Sequence, residues 1–293
     1  MNTRVRALLA TVVAVAVAVL AGTAAPADAR TSAKPSPHPI ARYVALGDSY
    51  SAGPLIPTSL VAGGCFRSSN NYASVVARAL AVPTFVDRTC SGAQTRDMTT
   101  SQLPGVPAQF DALTPDTDLV TVGIGGNDSS VFGTLVGFCP TLRASDPTGS
   151  PCRDALRSGG HDRLIDALRT TRTSVEAVVR QIHVLAPDAR VVVVGYPQIV
   201  PRKGTCPTLL PLADGDYRYA LTINRKLTQT LRHAAHRTHS AYVDLFRASR
   251  GHDICAADPW INGQFTDPAR ALNFHPFANE QAAAADLVLQ ELR

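Results

Sequence analysis

The 293-residue sequence has no internal repeat, no second linker and no stripe of lysine and arginine interleaved with aromatic residues. Aromatic residues make up only 6% of the chain, and a net charge of +5 is spread over basic residues that alternate with acidic ones. These absences argue against a repeat architecture and against nucleic-acid binding, and leave only a weak attraction to anionic surfaces. The length suits one α/β domain with a large core.

The chain also contains no C-x-x-C pair, although it has six cysteines. Structural zinc sites normally use closely spaced ligand pairs, so this spacing argues against a metal. An even number of widely spaced cysteines in an exported chain indicates disulfides, of which fifteen pairings are possible. We predict structural disulfides and no metal or cofactor; the cysteines are Cys65, Cys90, Cys139, Cys152, Cys206 and Cys255.

One long apolar run is present, at the amino terminus. Arg4 and Arg6 precede an Ala- and Val-rich stretch at 7–21, and Ala-Asp-Ala follows at 27–29. This stretch is short for a membrane-spanning helix and is followed by a small-residue cleavage site, which is typical of a secretory signal peptide. We predict a signal peptide at 1–29, a disordered leader at 30–40, a single domain at 41–293 and secretion to the extracellular space.

Short apolar runs alternate with segments of helical periodicity along the rest of the chain. This alternation predicts a parallel sheet of five strands with helices on both faces, an α/β fold. The predicted strands are 43–46, 84–87, 119–124, 191–194 and 241–246, and the predicted helices are 71–81, 107–113, 161–186, 217–236 and 277–292.

The first strand stops abruptly at Gly47-Asp48-Ser49. A hydroxyl at the carboxyl end of a buried strand, beside a glycine, meets the needs of a nucleophilic serine. A helix cap or a turn serine would explain the same triplet. Two other strand ends carry glycine and polar residues, at 91–93 and at 125–128, and the ends of parallel strands converge on one crevice.

His275 lies immediately before the last helix, where the connection can bring it to the same crevice. The other histidines lie on polar helix faces or have no motif around them. Asn127 follows the third strand, and two uses fit it: a ligand-facing amide, or an Asx turn that caps the next helix.

Four sequence blocks occur in order: G-D-S-Y-S-A-G with Ser49, T-C-S-G-A with Gly92, G-G-N-D with Asn127, and F-H-P with His275. In these four blocks the sequence resembles the GDSL-type esterases and lipases of the SGNH hydrolase superfamily, and it is close to the secreted actinobacterial members. The resemblance implies a flavodoxin-like, three-layer α/β/α fold. It also implies that the six cysteines pair sequentially.

The resemblance further implies the roles of individual residues. Ser49 would be the nucleophile and His275 the general base, while the backbone N–H groups of Ser49 and Gly92 and the side-chain amide of Asn127 would form the oxyanion hole. Asp48 is expected to be structural or to orient the turn, because neighbouring strand residues point to opposite faces.

Many members of this family carry an aspartate three residues before the histidine, but here that position is Leu272. We therefore expect a dyad in which the carbonyl of Leu272 or Asn273 holds the Nδ1–H of His275. Asp258 and Asp267 are the alternative partners on the same connection.

Apolar residues on the edge loops are expected to line a groove for an acyl chain, or else to pack on the domain. They are Pro54, Leu55, Ile56, Pro57, Phe132, Leu135, Val136, Ile199, Val200, Trp260 and Phe265. The sequence thus predicts a monomeric, secreted hydrolase of small or lipid esters with transient lipid-surface contact. Phospholipase A-type activity, carbohydrate acetylesterase activity and a non-catalytic binding module are the alternatives.

Overall fold

The centre of the molecule is a parallel sheet of five strands, seen in a computed structural model that describes residues 39–293. The strands are β1 (Arg42–Gly47), β2 (Thr84–Asp87), β3 (Leu119–Gly123), β4 (Arg190–Val194) and β5 (Ala241–Val243). They lie side by side in the order β2-β1-β3-β4-β5, and every neighbouring pair is parallel. The predicted α/β fold is confirmed.

Five labelled helices accompany the sheet: α1 (Ser49–Ala52), α2 (Tyr72–Ala79), α3 (Arg163–Leu185), α4 (Asp216–Arg237) and α5 (Ala278–Glu291). Shorter helical segments are Ala62–Gly64, Thr95–Met98, Gln109–Ala112, Asp128–Ser130, Val131–Gly133, Thr134–Phe138, Cys139–Thr141, Arg143–Ser145, Pro151–Ala155 and Leu245–Ala248. Two antiparallel ribbons pair Ser59–Leu60 with Arg67–Ser68 and Arg157–Ser158 with His161–Asp162.

Strand β1 shows why the sheet is covered on both faces. Tyr43 and Ala45 lie in the apolar cluster formed with α2 and α5, whereas Val44 and Leu46 lie in the larger cluster formed with α3 and α4. All four side chains are fully buried. A strand that is buried on both faces needs a continuous apolar run, and this is the pattern that made β1 recognisable in the sequence.

Two predicted boundaries are wrong, by three and two residues. The last strand ends at Val243 and does not reach residue 246, because the Asp244 carboxylate accepts the N–H of Arg247 and starts the short helix Leu245–Ala248. The long helix predicted from residue 161 begins at Arg163, since Asp162 is its N-cap. The segment predicted as a helix at 107–113 is a 3₁₀ turn, Gln109–Ala112.

The disulfides pair sequentially, as the resemblance implied: Cys65 with Cys90, Cys139 with Cys152, and Cys206 with Cys255. All six cysteines lie in connections that follow the carboxyl ends of strands. The first bridge joins the connections after β1 and β2, and the third joins those after β4 and β5. The disulfides therefore fasten the loops at one edge of the sheet.

The opposite edge is held by hydrogen bonds. The Asp118 carboxylate accepts the N–H groups of Ala41 and Arg42, both at 2.8 Å, while its carbonyl accepts the N–H of Arg190 at 2.8 Å. The guanidinium of Arg190 donates to the carbonyl of Leu292 at 2.7 Å. The start of β1 and the end of α5 thus meet at the amino edge of the sheet.

The predicted signal peptide, and the leader as far as residue 38, lie outside the described residues, so those boundaries stay predictions. Within residues 39–293, no helix is long and apolar enough to span a bilayer.

Candidate active site

Ser49 is the first residue of the one-turn helix α1, directly after β1. Asp48 is the N-cap and accepts the N–H of Tyr50 at 3.0 Å, and Gly53 ends the helix in the left-handed conformation. The turn is tight: a Cβ at Gly47 would lie 2.6 Å from the carbonyl oxygen of Gly123 on the next strand. Only glycine fits there, and Ser49 is consequently placed at the lip of the sheet, 6% exposed.

Asp48 joins two strand ends. It accepts the hydroxyl proton of Tyr196, and that hydroxyl accepts the N–H of Gly126 at 2.8 Å. Burial raises the pKa of Asp48 to about 7, although the hydrogen bond from Tyr196 opposes the shift. The carboxylate thus orients the turn, in agreement with the sequence interpretation.

Gly92 and Asn127 are brought together by hydrogen bonds between their loops. The Asn127 side chain donates to the carbonyl of Ala93 at 3.0 Å, and Asp128 accepts both the N–H and the hydroxyl of Thr95, at 2.9 and 2.7 Å. Gly92 is exposed and has a φ of +81°, a conformation that favours glycine. The Asn127 side chain makes no helix-capping bond, so the capping alternative finds no support.

His275 is 9% exposed, and its Nδ1 lies 2.7 Å from the carbonyl oxygen of Asn273. A carbonyl only accepts, so Nδ1 carries the proton and the neutral ring presents Nε2 as a base. Burial lowers the pKa of His275 to about 4, and the bond to Asn273 acts in the opposite direction. The ring centroid lies 5.4 Å from that of Tyr50 and 6.0 Å from that of Phe132.

The two aspartates considered as partners of His275 are engaged elsewhere. Asp267 accepts the N–H of Ala269 at 3.0 Å, and the exposed carboxylate of Asp258 lies 3.4 Å from Nδ1 of His252. Of the two candidate carbonyls, it is that of Asn273 which bonds the ring of His275. The Leu272 carbonyl instead accepts the backbone N–H of His275 at 3.2 Å.

Asn262 holds the turn that carries His275. Its side-chain amide donates to the carbonyls of Phe265, Ala271 and Leu272 at 2.8, 3.0 and 3.2 Å. Its backbone N–H donates to the carbonyl of His275 at 2.9 Å. Tyr50 adds a bond from its hydroxyl to the carbonyl of Phe274, at 2.7 Å. The residue after Ser49 is therefore fastened to the residue before His275.

A narrow pocket lies beside Ser49, and the volume inside it that the centre of a water-sized sphere can reach is about 20 Å³. Ser49, Tyr50 and Asn127 lie in its wall, and its apolar lining is Val131, Phe132, Leu135, Ile199, Ile223 and Leu227. Three expected groove residues, Phe132, Leu135 and Ile199, are among them.

The remaining expected groove residues lie elsewhere. Ile56 and Val200 are buried, and Trp260 stacks on His252 with ring centroids 4.5 Å apart. Phe265 is 69% exposed. Pro54, Leu55, Pro57 and Val136 are not part of the pocket wall either. Ile56 and Val200 therefore pack on the domain, as the alternative expected, whereas Phe265 remains exposed outside the pocket.

Three polar side chains that support the site were missed by the sequence interpretation. Tyr196 follows β4 in a Gly-Tyr-Pro run, a strand-end signal like the other three. Gln109 pairs with both backbone groups of Gly47, at 2.8 and 2.9 Å. Gln281 donates to the carbonyl of Tyr50 at 2.9 Å and accepts the N–H of Tyr72 at 2.8 Å. Nothing local to Gln109 or Gln281 marks these contacts in the sequence.

Over residues 45–279 the sequence matches the GDSL-like Lipase/Acylhydrolase family. The chain belongs to this family. It is 41% identical over 260 residues to Lipase 2 of Streptomyces coelicolor, covering 86% of this chain and 84% of that protein. The family and its relatives make the protein an ester hydrolase.

Solved structures with the same fold include two enzymes from Streptomyces. A phospholipase A1 from Streptomyces albidoflavus superposes with a TM-score of 0.71 and 28% identity, covering 86% of this chain and 99% of that one. An extracellular lipase from Streptomyces rimosus gives a TM-score of 0.71 and 26% identity, with coverages of 85% and 99%. The GDSL family likeness therefore extends over nearly the whole described fold.

Proposed function

We propose that the protein is a secreted, monomeric lipase or esterase that hydrolyses acyl esters through an acyl-enzyme on Ser49. The observation that carries the proposal is that Ser49 and Asn127 line one apolar pocket, while the ring of His275, whose Nδ1–H is held by the Asn273 carbonyl, contacts Tyr50 and Phe132 of the same pocket wall. The three disulfides fit an exported protein.

In the proposed mechanism, Nε2 of His275 takes the hydroxyl proton of Ser49 as Oγ attacks the ester carbonyl. The resulting imidazolium then protonates the leaving alkoxide, and water repeats the cycle on the acyl-enzyme. The Asn273 carbonyl keeps Nδ1–H in place throughout. It carries no negative charge, so it stabilises the imidazolium less than a carboxylate would.

The oxyanion would be held by the N–H groups of Ser49 and Gly92 and by the Asn127 amide. One amide hydrogen of Asn127 is engaged by the carbonyl of Ala93, which aims the second hydrogen and fixes the side chain. A preorganised donor of this kind contributes about 3 kcal/mol to transition-state stabilisation. Gly92 is exposed, which is compatible with donation from its N–H to a substrate.

The apolar lining supports an acyl chain longer than acetyl as the preferred substrate group. Each buried methylene adds about 0.8 kcal/mol of binding. Names of relatives such as lipase and phospholipase A1 fit this preference, and phospholipid is the second candidate substrate. A carbohydrate acetylesterase would have no use for a pocket walled by six apolar side chains.

A phosphonate probe of serine hydrolases tests the nucleophile. We expect a single adduct at Ser49, with labelling and ester hydrolysis abolished in Ser49→Ala. Ser51→Ala, two residues along the same helix, serves as the matched control and should keep both. An adduct on another serine, or full activity in Ser49→Ala, would overturn the mechanism.

A panel of p-nitrophenyl esters from acetyl to palmitoyl, run beside phospholipid vesicles and acetylated xylan, tests the substrate class. We expect medium and long acyl esters to have the higher kcat/KM, because their chains can pack against the apolar side chains beside Ser49. Activity confined to acetyl groups would favour the acetylesterase alternative.

A further inference from the structure

The exposed large apolar side chains are distributed unevenly over the described surface. Seven such residues are present: Leu60, Val61, Phe66, Phe138, Val184, Leu209 and Phe265. Six of them lie in connections that follow the carboxyl ends of strands, where Ser49 also lies. Only Val184, in the last turn of α3, is at the opposite edge. The edge that carries Ser49 therefore has six of these seven apolar side chains, which we call apolar tips.

A cleft rich in arginine and lysine lies on the same side of the molecule. Arg202 and Lys203, in the loop after β4, face Arg218 and Arg225 of α4 across an open space of about 960 Å³. Among the described residues, none of these four cations has an acidic partner within 4.0 Å. Asp214 also lines the cleft, but it is paired with Arg143 at 3.0 Å.

Hydrogen bonds connect the segments that carry Leu209 and Phe265 to the turn of His275. Gln264 donates its N–H to the carbonyl of Leu209 at 2.8 Å, which sets the Phe265 tip beside the Leu209 tip. Two residues before Gln264, Asn262 donates to the carbonyl of His275. Helix α4 separates the cleft from the catalytic pocket, because Ile223 lines the pocket while Arg225, on the opposite face of the helix, lines the cleft.

We infer that the protein docks on an anionic lipid surface with this edge, the four cations of the cleft binding lipid phosphates while Leu209 and Phe265 enter the acyl region. Cations beside exposed apolar side chains are the combination that binds interfaces, since each part uses a different layer of the lipid. A soluble anion would use the cations alone. The inference rests on the proposed hydrolysis of lipid esters, and it identifies an anionic lipid surface as the place where the protein meets them.

The charge contribution is tested with a Ser49→Ala protein, which binds without consuming the vesicles. Sedimentation is measured with phosphatidylcholine vesicles and with vesicles in which a third of the lipid is phosphatidylglycerol. We expect binding to the anionic vesicles only. Adding Arg218→Gln and Arg225→Gln should weaken it about 25-fold, since each basic residue near such a surface contributes about fivefold.

The matched control removes the same charge from the amino edge. Arg237→Gln and Arg293→Gln change two exposed arginines, the first of them about 28 Å along α4 from Arg218 at 1.5 Å per residue. This pair should weaken binding by less than about twofold. Equal losses of binding from the two pairs would overturn the inference, because binding would then depend on the net charge of the protein and not on the cleft.

The apolar contribution has its own matched pair. Phe265 and Val184 are 69% and 70% exposed, at opposite edges of the sheet. Phe265→Ser should lower vesicle binding several-fold, and Val184→Ser should leave it unchanged. Loss of binding in the presence of inorganic phosphate at constant ionic strength would instead indicate a site for a free anion and overturn the docking surface.

Hydrolysis of a short soluble ester separates this inference from the proposed function. In protein with Ser49 intact, the Arg218→Gln/Arg225→Gln pair and Phe265→Ser should retain their kcat on such an ester. They should lose activity only on anionic vesicles. Vesicle binding without hydrolysis of any ester would refute the proposed function and leave docking standing. Ester hydrolysis without vesicle binding would refute docking alone.

Discussion

The turns that carry Ser49 and His275 are built differently. Ser49 lies two residues beyond a central strand, and its turn is fixed from within the sheet by Gln109 and Asp48. His275 comes more than thirty residues after β5, on irregular chain that Asn262 holds through backbone carbonyls. Ser49, the proposed nucleophile, is thus positioned by the core of the fold, and His275, the proposed base, by a local network of hydrogen bonds. Damage to the first should lower global stability, and damage to the second should lower kcat.

The largest effect is expected for Asn262→Asp. This variant keeps the shape of the side chain but cannot donate to the three carbonyls, so the His275 turn loses its support. We expect kcat on a soluble ester to fall about 100-fold with little change in KM, because small displacements of catalytic groups are costly. Asn279→Asp, an exposed position on the following helix, is the control. An unchanged kcat in Asn262→Asp would show that the turn is held by other contacts.

The Ser49 side is tested by Gln109→Leu, which leaves the N–H of Gly47 buried without a partner. The cost should be about 2 kcal/mol of unfolding free energy, or about 30-fold in the folding equilibrium. Urea denaturation measures it, with the exposed Gln290→Leu as the control. If the variant is as stable as the parent but has a much lower kcat, the Ser49 turn is not held by the core of the fold, and the contrast with the His275 turn is wrong.

The pH dependence of kcat/KM reports on the neutral partner of His275. The ring acts as a base only when it is neutral, and its pKa is lowered to about 4 by burial. On a soluble ester, titration of His275 should therefore leave kcat/KM constant from pH 8 to about 5. The value of kcat/KM should then fall about tenfold per unit as the ring becomes protonated below about pH 4. A midpoint near 7 that persists in Asp48→Asn would indicate a carboxylate partner, because a nearby negative charge raises the pKa of histidine.

The smallest effect is expected for the two aspartates. Asp258→Asn and Asp267→Asn, made separately, should each change kcat by less than about threefold, because neither carboxylate bonds to the His275 ring. Loss of a true triad aspartate lowers kcat by about 10⁴. A fall of more than a thousandfold in a folded variant would identify that residue as the missing acid and remove the carbonyl from the mechanism.

The same contrast explains which parts of the molecule were predictable. Strand β1 and its Gly-Asp-Ser turn follow local rules, namely a run buried on both faces and a glycine that allows a tight turn. The contacts of Gln109 and Gln281 join positions 62 and 231 residues apart, and no local pattern records them. Three of the six apolar residues that line the pocket were predicted. The sequence shows which loop residues are apolar, but which of them turn inward depends on how each loop packs.

The meeting of β1 and α5 at the amino edge has a practical consequence for immobilising the enzyme. Because Asp118 and Arg190 gather both ends of the described fold on the side away from Ser49, a tether attached at Arg293 would leave the catalytic edge facing outward. A surface coated in this way would present every molecule in one orientation to an emulsion or a bilayer. Random coupling through surface lysine would not, since Lys203 lies in the cationic cleft itself.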